Sequence, residues 1–363
     1  MKYLTEFRDP GLTRKLVQKI ENMADKEITI MEVCGTHTMA IFKSGLRQLL
    51  PHQIRLISGP GCPVCVTPQS YIDTAIQLTE RQDVIITAFG DMLRVPGTEG
   101  SLMAQKSKGR DVRMVYSPLD VVQLAAENPQ KEVIFLAVGF ETTAPTIALS
   151  VEQAKKANIN NYSILQSIKT MPNTMEELVR EEDIQIDGFL CPGHVSAVIG
   201  VKPYRFLSEK YSLPAVIAGF EPTDIIMGIY HILDMLDKKE SQVRNEYTRL
   251  VTEDGNLKAL EMIERVFEET ASVWRGLGSI EGTGLRLRQD YESYDTVKKL
   301  GIQAAPEQPA KGCICGEILK GKVSPLDCRL FSTKCTPETP VGACMVSEEG
   351  TCAAYYRYKP NHF

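Results

Sequence analysis

One tryptophan, Trp274, stands in a chain of 363 residues, and no uncharged apolar run approaches the roughly 18 residues that a membrane span requires. A transmembrane helix is not expected. Lysine and arginine nowhere cluster into a basic run, and 41 basic against 46 acidic residues give a net charge of −5. Nucleic acid is therefore not expected as a main partner. The opening residues, Met1 to Pro10, contain no apolar stretch of the kind a secretory signal carries. These absences lead to the expectation of a cytoplasmic, soluble protein with no membrane or nucleic-acid partner. Also missing, near the C-terminus, are two closely spaced cysteine pairs of the kind structural zinc sites favour.

Cysteine is abundant. Ten are present, and in a reducing compartment cysteines more often bind metal or do redox work than form structural disulfides. Cys34, Cys62, Cys65 and Cys191 are spread over the first two thirds. Cys313, Cys315, Cys328, Cys335, Cys344 and Cys352 crowd into the tail. Two sites in sequence follow from that split.

The organising stretch is Ile57-Ser-Gly-Pro-Gly-Cys-Pro-Val-Cys-Val-Thr67. It leaves a predicted strand, breaks at Gly59-Pro-Gly61 and presents Cys62 and Cys65. A helix is predicted to follow, with Thr67 as N-cap and Pro68 as first helical residue. The pair is open to three readings: a redox dithiol, two metal ligands, or two buried small hydrophobes.

The chain length fits two to three domains of about 100–200 residues. Strands are predicted at Ile28–Val33, Ile54–Ile57, Val84–Ala88, Val112–Tyr116, Val133–Val138, Ser163–Gln166, Gly188–Leu190 and Ala215–Ala218. Amphipathic helical segments lie between them, among them Tyr71–Arg81, Leu119–Asn128, Ala144–Ala157 and Met175–Glu182. This alternation predicts an α/β fold of parallel sheets covered by helices. Residues 240–270 read as charged and helical, and 304–312 as a linker into the tail.

Uncommon loops follow the strands: Glu32-Val-Cys-Gly-Thr-His37, Gly139-Phe-Glu-Thr-Thr143, Cys191-Pro-Gly-His-Val-Ser196 and Gly219-Phe-Glu-Pro222. Ligands of open α/β sheets bind at the carboxyl ends of strands, so one or two clefts lined by these loops are expected. Cys34 and His37 could reach one metal or one proton-transfer target, or form no more than a capping loop. His194 reads equally as a site or a structural histidine. Glu141 could be an acid near a helix N-terminus with a stabilising role only. Cys191 reads as a buried spare. The tail thiols could hold an iron–sulfur cluster, whose irons each take one thiolate, a zinc ion, or nothing.

Taken in order, these motifs and the Cys-rich tail resemble HypD, a family of NiFe-hydrogenase maturation proteins, over almost the whole chain. The resemblance implies two similar parallel-sheet α/β domains plus a C-terminal Cys-rich iron–sulfur domain, with expected bounds 1–117, 118–240 and 241–363. It implies a scaffold that, with a small HypC-type partner, holds iron while cyanide and carbon monoxide are attached. A HypE-type protein would donate cyanide, and the finished unit would pass to the hydrogenase large-subunit precursor. Residue by residue, Cys34 matches the iron-holding cysteine, His37 the histidine beside it, and Cys62 and Cys65 a proposed redox dithiol. Glu141 and His194 fall in matching motifs. The family spacing C-x12-C-x6-C-x16-C selects Cys315, Cys328, Cys335 and Cys352 for a 4Fe–4S cluster, leaving Cys313 and Cys344 outside it. Met39 is a departure, since some members have a second histidine there. The alternatives are an iron–sulfur-dependent thiol–disulfide oxidoreductase and a structural zinc protein. The dithiol is expected to lie between Cys34 and the tail cysteines.

Overall fold

A computed structural model describes residues 6–358 except 182, 184 and 309. The end of the predicted Met175–Glu182 helix lies outside the described residues. Strands are β1 (Ile28–Glu32), β2 (Ile54–Ser58), β3 (Val84–Ala88), β4 (Val112–Met114), β5 (Glu132–Gly139), β6 (Tyr162–Lys169), β7 (Gly188–Pro192), β8 (Ala215–Ala218), β9 (Val243–Asn245), β10 (Phe267–Trp274) and β11 (Gly278–Leu287).

The fold is α/β with two sheets. The first runs β2-β1-β7-β8-β9 and is parallel throughout. The second runs β10-β11-β6-β5-β3-β4. Its β6-β5-β3-β4 portion is parallel, and the β10–β11 hairpin adds antiparallel strands at one edge. Each central strand is a short apolar run because helices cover both faces, as β3 shows with five buried residues in succession.

The two sheets are not contiguous in sequence, which departs from the expected 1–117 and 118–240. The chain builds β1 and β2, crosses to lay down β3 to β6, and returns for β7 to β9. It then crosses again for the hairpin. Strand order is a long-range property, and local apolar patterning does not encode it.

Alternating side chains give the first sheet two cores. Ile28, Ile30, Leu56, Leu190, Val216 and Ala218 pack beneath the helices Pro10–Met23 and Pro222–Asp237. On the opposite face Met31, Ile57, Phe189, Cys191 and Ile217 share one buried cluster with Ile318, Leu319, Phe331, Cys335 and Cys352 of the tail. The tail therefore shares its core with the first sheet. A segment so short buries too little surface to sustain a core alone.

Candidate functional site

β1 ends at Glu32, and Cys34 becomes the N-cap of the helix Gly35–Lys43. The thiol is buried. Burial, with the negative charge of Glu349 added, pushes its pKa up to about 12, while the amides of His37 and Thr36 oppose the shift. Such a thiol stays protonated until a metal displaces the proton. The Cys34 N–H donates to Glu32 Oε2 at 3.3 Å, and the Thr38 hydroxyl donates to Oε1. Burial raises Glu32 to about 8.

His37 lies one turn into the same helix and is fully buried. Its Nε2 stands 2.9 Å from the Gly219 carbonyl oxygen. A carbonyl only accepts, so Nε2 carries the proton. Nδ1 is then a bare lone pair, and it is buried without a partner among the described residues. Burial pushes the ring's pKa down to about 4. The Phe220 ring packs in a tilted arrangement against both histidines, its centroid 4.7 Å from that of His37 and 4.1 Å from that of His194. His194 is exposed, and partial desolvation lowers its pKa against the pull of Glu349.

The loop after β2 meets Cys34 directly. The Gly35 N–H donates to the Gly61 carbonyl at 3.1 Å. The next residue, Cys62, caps a one-turn helix, Pro63–Val66, with its sulfur accepting from the Cys65 N–H at 3.2 Å. Cys62 and Cys65 are joined as a disulfide, Cα to Cα 5.3 Å, and both are buried. This corrects the expected helix start. Pro63 begins the turn, Thr67 ends it with its hydroxyl donating to Pro63 O, and Pro68 caps the next helix, Gln69–Leu78.

Glu141 is not gathered with these groups. Its Oε1 accepts from the Met171 N–H at 2.7 Å, so it caps the helix Met171–Arg180 rather than the helix following its own loop. Oε2 is buried without a partner among the described residues, and burial raises the acid to about 7. It lines a cavity of about 610 Å3 that no cysteine lines. The largest cavity described, about 760 Å3 along the open edge of β2, holds none of the predicted site residues.

The tail brings all six of its cysteines around one small cavity, beside Ile318, Leu330, Phe331 and Met345. Cys315 interacts with the thiols of both Cys313 and Cys344. Cys313 lowers its pKa, whereas Cys344 and burial raise it, for a net value of about 12. The cavity therefore includes Cys313 and Cys344 as well as the expected four. Among the described residues no three His, Cys, Asp or Glu side chains converge on a single ion position. In donor chemistry, six thiols lining one cavity otherwise walled by apolar side chains suit a multi-iron group, which takes one thiolate per iron.

The Cys62–Cys65 turn packs on Ala343–Met345 of the tail. The tail helix Thr351–Tyr358 packs on the Cys34 helix, with Phe42 and Tyr355 at 4.6 Å. The loop that carries the disulfide thus touches both the Cys34 loop and the tail, and the tail also packs directly on the Cys34 helix. One residue of this region was not singled out in the sequence. Glu349 accepts from the Thr36 hydroxyl at 2.7 Å and acts on both Cys34 and His194. Only its place three residues before Cys352 could have pointed to it.

A family model described as HypD, hydrogenase formation hypA family, matches residues 11–359. The chain belongs to the HypD family. It is 44% identical to the hydrogenase maturation factor HypD of Rhodobacter capsulatus, over 99% of this chain and 98% of that protein. It is likewise 44% identical to the HypD of Escherichia coli, over 99% and 98%. The HypD of Cupriavidus necator is 43% identical over 99% and 97%. Membership of the HypD family supports a role in hydrogenase maturation. No helix among the described residues is long and apolar enough to cross a membrane.

Proposed function

We propose that this HypD-family chain is a redox-active scaffold for the iron unit of NiFe hydrogenase. Cys34 would hold the iron as substrate, with a small HypC-type partner supplying the other protein ligand. A soft thiolate suits iron that carries cyanide and carbon monoxide. His37, on the same helix, would stay neutral and offer Nδ1 as a hydrogen-bond acceptor. The tail cysteines would hold a 4Fe–4S cluster, Cys315, Cys328, Cys335 and Cys352 being the ligands that the family spacing selects. That group would supply electrons singly.

Cyanide delivered as a protein thiocyanate by a HypE-type donor must be released by breaking its carbon–sulfur bond. The step consumes two electrons and two protons and yields a thiol and hydrogen cyanide. The Cys62–Cys65 dithiol supplies both electrons and both protons as it closes to the disulfide. Cyanide then binds the iron and gives up its proton. Delivery to the hydrogenase large-subunit precursor completes the role.

The observation that carries this reading is the contact of the Gly61–Cys62 loop with Cys34 on one side and with the tail on the other. The test is iron and acid-labile sulfide analysis of the anaerobically purified protein, followed by infrared spectroscopy with its small partner. Iron, sulfide and bands from bound cyanide and carbon monoxide are expected. A colourless protein with stoichiometric zinc would overturn the reading.

A further inference from the structure

Arg275 stands between the two cysteine sites. It lies in the turn of the β10–β11 hairpin and is 6% exposed. Its amide N–H donates to Val66 O at 2.8 Å, and its Nε–H donates to Thr67 O at 2.7 Å. Two bonds from one residue thus grip the end of the Cys62–Cys65 turn. The following residue, Gly276, has a φ of 77° and touches the tail, since a Cβ there would stand 2.2 Å from Gly316 Cα. Gly316 is the neighbour of Cys315. The hairpin turn therefore holds the disulfide loop with one residue and the cysteine cavity with the next.

The guanidinium itself is unfinished. Among the described residues Nη2 is buried and has no acceptor, and the only side-chain hydrogen bond of Arg275 goes to a neutral carbonyl. A buried cation without a counter-charge is costly, and such groups occur where a negative group completes them.

We propose that Arg275 is a positioning residue that joins the two sites: its fixed charge is the counter-ion of the thiolate-bound group in the tail cavity, while its grip on Val66 and Thr67 fixes the disulfide turn beside that cavity. This rests on the reading that the cavity holds an iron–sulfur cluster. A cube on four thiolates is net negative, and an added electron makes it more so. A nearby positive charge therefore favours the reduced form, and its removal lowers the midpoint potential.

The experiment compares the full-length wild-type protein with Arg275→Gln and Arg275→Lys, purified anaerobically. Iron and sulfide are measured first, then the midpoint potential by titration with dithionite followed by electron paramagnetic resonance. The Gln variant is expected to titrate at a more negative potential, and the Lys variant close to wild type. A Gln variant indistinguishable from wild type, or Gln and Lys variants displaced alike, would overturn the proposal. Loss of iron in the Gln variant alone would also support a charge requirement, whereas loss in both variants would assign Arg275 to packing and overturn it. Wild-type protein lacking iron and sulfide would overturn the cluster reading itself, an outcome visible before any variant is made.

Discussion

Gly61 lies against the backbone of Cys34 with no space between them: a Cβ on Gly61 would stand 2.4 Å from the Cys34 amide nitrogen. The residue that introduces the Cys62–Cys65 pair is thus also the residue that seats the proposed iron thiolate. Gly61→Ala must push the two loops apart. A cost of about 1–3 kcal/mol is expected from such overpacking, measurable by urea denaturation. The same variant should retain less iron with its small partner. A variant as stable as wild type that holds iron normally would show that the contact is dispensable.

Glu141 gives the protein a pH-dependent weakness. Burial raises its pKa from 4.5 to about 7. Below 4.5 both folded and unfolded chains keep the proton. Between 4.5 and about 7 the unfolded chain ionises first, so stability falls as pH rises through this window and levels off above it. Glu32, raised to about 8, extends the fall to higher pH. Glu141→Gln keeps the acceptor for the Met171 N–H and removes the titration. It should flatten the profile by on the order of 3 kcal/mol across the window. Denaturation at both ends of the window checks this, and an unchanged slope would place the pH dependence elsewhere.

His37 runs the opposite way. Its pKa is lowered from 6.5 to about 4. As pH falls through 6.5 the unfolded chain takes the proton and the folded chain does not. Its contribution to stability is therefore full above 6.5 and is lost toward about 4. Nitrogen-15 NMR of histidine-labelled protein should show a neutral ring protonated at Nε2 at neutral pH. An imidazolium, or a proton on Nδ1, would contradict the arrangement with Gly219.

The tail should depend on what it holds. Chelation of iron under reducing conditions is expected to open the cavity, so that brief alkylation labels Cys313, Cys328 and their neighbours. Cys191, fully buried within β7, should stay protected. Mass spectrometry reads the order of labelling. Labelling of Cys191 as fast as the tail thiols would mean that metal supports the whole fold.

Much of this was legible in the chain. β3 and β8 fall at the predicted residues because short apolar runs punctuated by Asp83, Gly90, Pro214 and Gly219 allow little else. The hairpin was missed for the opposite reason. Phe267–Trp274 is buried only at its two ends, alternates half-buried and exposed residues between them and carries Glu268 and Glu269, so its first four residues read as part of a charged helical segment until β11 pairs with it. The family spacing set four tail cysteines in one site and left Cys313 and Cys344 outside it, whereas the structure lines one cavity with all six. Glu349 and Arg275 act through packing across the fold, Glu349 on a residue 313 positions away and Arg275 on one 208 positions away. No local pattern marks such residues. Glu141 sits at a strand end as expected but serves a helix from another part of the chain.

The most direct test of the scaffold is infrared spectroscopy of the anaerobically purified protein with its small partner, comparing wild type with Cys34→Ser and Cys62→Ser. Bands from iron-bound cyanide and carbon monoxide are predicted in wild type, absent in Cys34→Ser, and formed slowly or not at all in Cys62→Ser. Bands of undiminished intensity in Cys34→Ser, or cyanide loading at the normal rate in Cys62→Ser, would contradict the account.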